Sequence, residues 1–319
     1  MRPYWQGVFP AVTTQMRKDG ELDLDATARH LEVLIGSGVS GLVMCGSLGE
    51  NQSLDPEEKR AVVETAVGVA RGRVPVLGGV AETSTRAACA FVRDCTRLGA
   101  DGFMVMPAMV YRGDARELLG HVRAVARATD APLMIYNNPI SYGNDVTPGL
   151  FARLAAVDTI VALKESSGDT RRVTDLRNVV GDRFAIFTGV DDLVLESAVL
   201  GIDGWVAGIG LAFPDENQRL WELTRAARWE EARALYRWYT PLLHLDVSPK
   251  LVQHIKLAMQ ETGLGREWVR APRRPLVGSE RARVLAVIRQ GIAARPDPGS
   301  NGRPAARVRG TARAGARQG

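Results

Sequence analysis

The sequence is poor in the residues that most often announce a chemistry. Its 319 residues include only three cysteines, Cys45, Cys89 and Cys95. An odd number with no CxxC spacing argues against a disulfide framework and a zinc site alike, and leaves small core residues as the simplest reading. The four histidines (30, 121, 244 and 254) lie on expected helices, and none stands at metal-ligand spacing from another. Surface or satisfied core roles are expected for them, with no metal. No apolar run approaches the roughly 18 residues of a membrane span. Met1-Arg2-Pro3-Tyr4-Trp5 leads directly into a strand-like segment with no signal-peptide pattern. A cytoplasmic protein without a membrane partner is therefore expected. What is plentiful is core material: 45% of residues are apolar and 24% charged, enough for one large domain or two ordinary ones.

A net charge of +5 and a pI near 9.3 invite a nucleic-acid reading. Its location argues otherwise. Between Arg295 and Gly319 stand six arginines (295, 303, 307, 309, 313, 317) against Asp297 alone, which equals the whole excess. The body of the chain is neutral, and no nucleic-acid partner is expected. Residues 293–319 are rich in Gly, Ala, Pro and Arg, with little to bury, and read as a disordered tail.

Eight short apolar runs recur at intervals near thirty residues: Gly7–Val12, Gly41–Cys45, Pro75–Gly79, Gly102–Met106, Pro132–Tyr136, Ile160–Lys164, Ala185–Thr188 and Gly204–Ala207. Each is followed by an amphipathic helical stretch. Asp55-Pro56-Glu57-Glu58 combines an N-cap, a proline at the first helical position and a capping-box acid. Asp114 to Glu117 repeats the box, and Thr147-Pro148 repeats the proline signal. Strands apolar on both faces and alternating with helices predict an α/β protein, a (β/α)8 TIM barrel over residues 1–225. An open doubly wound sheet fits less well, because no glycine-rich fingerprint follows the first strand. Beyond residue 225 helical patterns alone remain, predicting a C-terminal helical extension over 226–292.

Catalytic side chains in such a barrel project from the C-terminal ends of strands. The fifth expected strand ends in Tyr136 and the sixth in Lys164, one βα unit apart, so the two should meet at the barrel mouth. A lysine ending a buried apolar strand must lose or pair its charge. Half neutrality at pH 7 requires its pKa to fall by about 3.4 from about 10.4, which needs about 5 kcal/mol from desolvation and neighbours. A neutral amine attacks carbonyls, and the iminium so formed acidifies the adjacent carbon. A nearby phenol is suited to shuttling the protons of those steps. The bland alternative pairs Lys164 with Glu165 or another barrel acid, but Glu165 should point to the opposite face. Gly46-Ser47-Leu48-Gly49-Glu50 reads as a turn whose N–H groups could hold a carboxylate and whose Ser47 could exchange a proton with Tyr136. The loop from Tyr136 to Gly143 should cover the mouth. Gly189-Val190-Asp191-Asp192 could hold a metal, but a helix N-cap is the simpler role for either aspartate.

Taken together, G-S-L-G-E, Y-N-N-P, K-E-S-S-G and G-V-D-D, spread across residues 3 to 290, resemble the dihydrodipicolinate synthase / N-acetylneuraminate lyase family of class I aldolases. The resemblance implies that Lys164 forms a Schiff base with a small 2-oxo acid or cyclic imine, that Tyr136 shuttles protons and that Ser47 assists it. It implies no cofactor and a homotetramer built from dimers. Leu48, Asn138, Ser141, Tyr142, Gly189, Val206 and Ala207 are the expected substrate contacts, and Tyr111 is a candidate relay member.

The sequence departs from dihydrodipicolinate synthases at three places. Ser47-Leu48 replaces their usual pair of threonines, Ser141 stands where they carry an arginine, and Pro107-Ala-Met-Val-Tyr111 replaces an adjacent tyrosine pair. The first two changes weaken the recognition of a dicarboxylic substrate. With A-V-T-T-Q (11–15) and L-L-H-L-D-V (242–247), the pattern looks most like 1-pyrroline-4-hydroxy-2-carboxylate deaminases, which convert that cyclic imine to 2,5-dioxopentanoate and ammonia in hydroxyproline breakdown. This activity is the expectation carried forward. A 2-oxo-3-deoxy sugar acid dehydratase or aldolase, a 4-hydroxy-tetrahydrodipicolinate synthase joining pyruvate to aspartate semialdehyde, and a regulatory or scaffold barrel are the alternatives.

Overall fold

The computed structural model describes residues 5–107 and 111–296. Eight strands form one parallel sheet: β1 (Gly7–Val8), β2 (Leu42–Met44), β3 (Val76–Val80), β4 (Gly102–Val105), β5 (Leu133–Asn137), β6 (Ile160–Glu165), β7 (Ala185–Thr188) and β8 (Gly204–Trp205). Their order is β1-β8-β7-β6-β5-β4-β3-β2. The two ends of that series meet where Ala11 bridges Val43 in parallel. There the Val12 N–H donates to the Val43 carbonyl, and the Val43 N–H to that of Pro10, each at 2.9 Å. The sheet thereby curls into the (β/α)8 barrel expected from the repeat. β1 and β8 are shorter than their apolar runs, yet the chain stays extended beyond them, with Phe9 and Ala11 N–H groups donating to Trp205 and Ala207 carbonyls at 2.8 Å.

Every strand residue is buried, because helices cover the outside and side chains fill the inside. Within the barrel the Phe9 and Phe187 rings meet edge to face at 5.2 Å. Two glycines make this possible by close approach. A Cβ on Gly41 would lie 2.2 Å from the Phe9 ring, and one on Gly204 would lie 2.1 Å from that of Phe187. Glycine at these two positions is thus part of the large-and-small layering that packs the interior.

Helices α1 (Leu24–Gly36), α2 (Pro56–Ala70), α3 (Thr85–Arg97) and α4 (Ala115–Ala126) follow the first four strands. The start signals read in the sequence act as such. Asp55 precedes α2 and its N–H donates to Glu58 at 2.8 Å. The Asp114 carboxylate accepts from the Glu117 N–H at 2.9 Å, while the Glu117 carboxylate accepts from the Asp114 N–H at 2.8 Å. These boxes satisfy amide groups that a helix cannot pair internally. A single turn, α5 (Pro139–Tyr142), and the helices α6 (Pro148–Leu154), α7 (Arg171–Val180), α8 (Val194–Val199) and α9 (Pro214–Arg225) complete the barrel.

The C-terminal extension consists of α10 (Trp229–Leu243), α11 (Leu251–Glu261) and α12 (Gly278–Ala293). It packs on its own barrel and is tied to the mouth loops by ions. Lys256 pairs with Glu50, both without solvent exposure, and Arg270 donates to Glu58 and to the Gly20 and Ser53 carbonyls. These ties bring residues 246–253 and 272–275 to the rim of the central cavity. The Arg295 guanidinium is held by Glu216 through a 2.8 Å bond, so the expected tail has an anchored first turn. Its residues 297–319 lie outside the described residues. Among the described residues, no helix is long and apolar enough to cross a membrane.

Candidate active site

Strands β5 and β6 run in register with Tyr136 opposite Lys164. The Lys164 Nζ lies 4.0 Å from the centre of the Tyr136 ring, and the two residues are only 6% and 5% exposed. Both face a cavity of about 1570 Å³ at the C-terminal end of the barrel. Burial lowers the Lys164 pKa below the ordinary lysine value, against the opposing pull of Asp246, Tyr142 and Asp191. Glu165 is not its partner. That carboxylate accepts from the Asn137 side chain at 3.0 Å and from the Ser167 N–H at 2.6 Å. Gly189 fixes the lysine from the β7 side: a Cβ there would sit 2.1 Å from Lys164 Cε and 2.3 Å from Ser166 Oγ.

The loop after β5 is organised by Asn138. Its Oδ1 accepts from the Ser141 N–H at 2.9 Å, capping α5, while its Nδ2 donates to the Tyr136 hydroxyl at 3.0 Å. Pro139 occupies the first helical position, and Gly143, with φ 75°, closes the turn in the left-handed region. This single turn carries Tyr142 against Tyr136, their rings edge to face at 5.7 Å. Burial raises the pKa of both phenols above the ordinary tyrosine value. The hydroxyls of Ser47 and Tyr142 are hydrogen-bonded.

The Gly46–Gly49 turn is flanked by Cys45 (φ 54°) and Glu50 (φ 56°), both left-handed. No acceptor engages the Ser47 and Leu48 N–H groups among the described residues. They form a ready donor pair for a carboxylate. Beneath them Glu50 accepts from Lys256 at 2.5 Å and from the Arg270 N–H at 3.0 Å, and Lys256 also donates to the Trp268 carbonyl at 2.7 Å.

Two acids lie near the lysine. Asp191 does not cap a helix, the role favoured for it from the sequence. It accepts instead from Trp205 Nε1 at 2.9 Å and from the Gly208 and Ile209 N–H groups at 3.1 and 2.7 Å, fastening the segment after β8. Burial lifts its carboxyl to about 6, while those donors and Lys164 pull the other way. Asp246, on the turn after α10, presses so closely on Gly208 that a Cβ there would meet its Oδ1 at 2.2 Å. Burial, and then the like charge of Asp191, hold the Asp246 carboxyl far above the usual carboxylate range, with Lys164 opposing.

The cavity is lined by Ser47, Leu48, Tyr136, Asn138, Ser141, Tyr142, Lys164, Gly189 and Val206, so most of the expected site residues meet at one place. Two do not join them. Ala207 is fully buried and does not line the cavity, which meets Val206 and Gly208 on either side of it, as alternation along extended chain dictates. Tyr111 is 58% exposed and donates to Glu117 at 2.6 Å. The rest of its motif, residues 108–110, lies outside the described residues. Ser47 bonds to Tyr142 rather than to Tyr136. Sequence reasoning missed Asp246, although L-L-H-L-D-V was noted, because an acid between two apolar residues has no assigned direction until the helices pack. It also missed Arg273 and Arg274, which approach the cavity from a distant segment.

The model for the dihydrodipicolinate synthetase family matches residues 4–291. The chain is 32% identical over 288 residues to the 4-hydroxy-tetrahydrodipicolinate synthase of Methanothrix thermoacetophila, covering 89% of this chain and 96% of the relative. It is 34% identical over 281 residues to that of Exiguobacterium sibiricum, covering 87% and 94%. The fold is similar to that of the chloride-inhibited dihydrodipicolinate synthase from Acinetobacter baumannii complexed with pyruvate, with a TM-score of 0.86, 27% identity and coverage of 90% and 98%. These similarities overturn the hydroxyproline-pathway reading: the relatives that match over nearly the whole chain here are 4-hydroxy-tetrahydrodipicolinate synthases. The physical step at fault is the inference from Ser141. Lack of an arginine there, with Ser47-Leu48, counted as weakening the recognition of a dicarboxylic substrate, yet Arg273 and Arg274 line the same cavity from the C-terminal extension.

Proposed function

The chain belongs to the dihydrodipicolinate synthetase family, and from that membership we propose that it joins pyruvate to a small aldehyde, aspartate semialdehyde first among them, through a Schiff base on Lys164. The observation that carries the reading is the pairing of a buried, charge-disfavoured Lys164 with Tyr136 across β5 and β6, Nζ 4.0 Å from the ring centre, at the floor of an open cavity. The names of the similar synthases supply the substrates.

The chemistry follows from the groups present. The neutral amine adds to the ketone carbon of pyruvate, and the carbonyl π pair moves to oxygen. A proton passes from nitrogen to that oxygen, a second proton releases it as water, and an iminium remains. Loss of a C3 proton gives the enamine, whose C3 attacks the aldehyde carbon. The amino group of the joined semialdehyde then displaces Lys164 and closes the ring. Tyr136 is positioned to move the protons. The free N–H groups of Ser47 and Leu48 suit the pyruvate carboxylate, and Arg273 and Arg274 at the rim suit that of the semialdehyde.

Borohydride trapping with pyruvate, read by intact mass, tests the lysine: an adduct is expected on the wild type and none on Lys164→Ala. Loss of semialdehyde that depends on pyruvate tests the second substrate. A wild type that traps no pyruvate, or an adduct that survives Lys164→Ala, refutes the Schiff-base assignment. Pyruvate trapping without consumption of semialdehyde refutes the second substrate alone.

A further inference from the structure

The ion pair of Lys256 and Glu50 takes no part in the chemistry at Lys164, yet both side chains are shut off from solvent entirely. Ions so placed lose their hydration, and an apolar pair of the same volume is often as stable or more so. Stability alone is therefore a poor account of the pair. Its acid stands at a telling place: Glu50 closes the turn that carries the free Ser47 and Leu48 N–H groups, and it does so in the left-handed region, at φ 56° and ψ 35°. Such a backbone is costly for a residue with a Cβ and persists only where its surroundings fix it. Here both carboxylate oxygens are fixed, one accepting from Lys256 Nζ at 2.5 Å and the other from the Arg270 N–H at 3.0 Å. Lys256 is itself set by the Trp268 carbonyl, to which its Nζ donates at 2.7 Å. We propose that Lys256 is a positioning residue for substrate binding: through Glu50 it holds the Ser47-Leu48 turn in the shape that receives the pyruvate carboxylate. The role rests on the proposed Schiff base at Lys164 and on that turn as the carboxylate site.

The turn is pinned at its ends by neutral groups. The Asn51 N–H donates to the Gly46 carbonyl at 3.3 Å, and the Asn51 side-chain amide donates to the carbonyls of Cys45 and Gly79 at 2.8 and 3.1 Å. Thr14 Oγ1 donates to the Gly49 carbonyl at 2.8 Å. With its ends closed, the loop cannot take new angles at Glu50 unless the peptide planes before it rotate in compensation. Those planes carry the Ser47 and Leu48 N–H groups. Two such donors converge on one carboxylate only over a narrow range of directions, so the anchor of Glu50 decides whether they do. Lys256 lies on α11 and stands 206 residues from Glu50. A helix of the C-terminal extension thus completes a subsite whose donors all belong to the loop after β2.

The test is the rate of borohydride trapping, read by intact mass, as a function of pyruvate and, separately, of acetone, in which a methyl group replaces the carboxylate. Lys256→Met should raise the half-saturating pyruvate concentration by about 10-fold, the scale of one lost hydrogen bond to a charged group, while the rate at saturation changes by less than about threefold. Acetone trapping should stay within about twofold of the wild type. Adding Glu50→Gln removes the stranded charge and should recover stability to denaturant, yet the half-saturating pyruvate should stay high because no ion anchors the turn. Wild-type half-saturation in Lys256→Met overturns the role. A double variant that regains stability and pyruvate affinity together overturns it as well, and so does a loss that falls equally on acetone, since the pair would then act through the fold alone. Should Lys256→Met fail to fold, the double variant replaces it in each comparison. Where the wild type traps no acetone, the split between half-saturation and maximal rate decides, and a loss confined to the rate overturns the role. A wild type that traps no pyruvate overturns the reading of Lys164 and this role with it.

Discussion

Replacing Gly189 by alanine isolates the placement of Lys164 from its chemistry. The added Cβ would lie 2.1 Å from Lys164 Cε and 2.8 Å from its Cγ. Carbon atoms settle at about 3.5 Å or more, so the lysine chain must retreat by about 1.4 Å, and the Ser166 hydroxyl, 2.3 Å from the same Cβ, must turn away. A displacement near 1 Å costs about 10²-fold in a reaction that needs aligned atoms, equal to about 2.8 kcal/mol on the barrier. The fold should survive. Gly189 is not in the left-handed region, and the lysine can swing into the open cavity. An off-rotamer side chain costs about 0.5–1.5 kcal/mol, which corresponds to a Tm lower by only a few degrees. Single-turnover trapping with pyruvate and borohydride, with thermal unfolding in parallel, measures both. Trapping at the wild-type rate would refute the claim that Gly189 holds the lysine in place. A Tm lower by more than about 10 °C would show that backbone, not lysine, absorbs the clash.

Two further perturbations follow from the charges around the site. When ionised, Asp246 favours the charged form of Lys164, so in the range above its own raised pKa Asp246→Asn should lower the lysine pKa still further. The acidic limb of the pH profile for adduct formation then moves to lower pH, and a limb that stays or moves upward contradicts the assignment. Lys256→Met breaks a fully buried ion pair and strands Glu50 below the Ser47 turn. The expected cost is about 3 kcal/mol, the low end for such a loss because the Arg270 N–H still donates to Glu50. Glu50→Gln in addition should recover part of it, and chemical denaturation that shows additive losses would deny the coupling.

Much of the architecture was written in local patterns. The eight apolar runs, the capping boxes before α2 and α4 and the lysine one residue from the end of β6 are consequences of backbone and burial rules that act within a few residues. They hold wherever the rest of the chain goes. The meeting of Tyr136 and Lys164 was equally legible, because parallel neighbours one βα unit apart have their ends side by side.

What the chain alone left open is what arrives from far away in sequence. L-L-H-L-D-V contains the acid that faces Lys164, but only the packing of the segment after α10 against Gly208 aims Asp246 into the cavity. Ser141 suggested a site without a guanidinium, whereas the segment 272–275 brings Arg273 and Arg274 to its rim. Ser47 was expected to exchange a proton with Tyr136, whereas its hydroxyl is bonded to Tyr142, whose ring packs on that of Tyr136. Sequence determined the barrel and its lysine because periodicity and burial are properties of neighbours along the chain. Tertiary structure decided the acids around the lysine, the partner of Ser47 and the rim, because those depend on side-chain directions fixed only when distant segments pack at the barrel mouth.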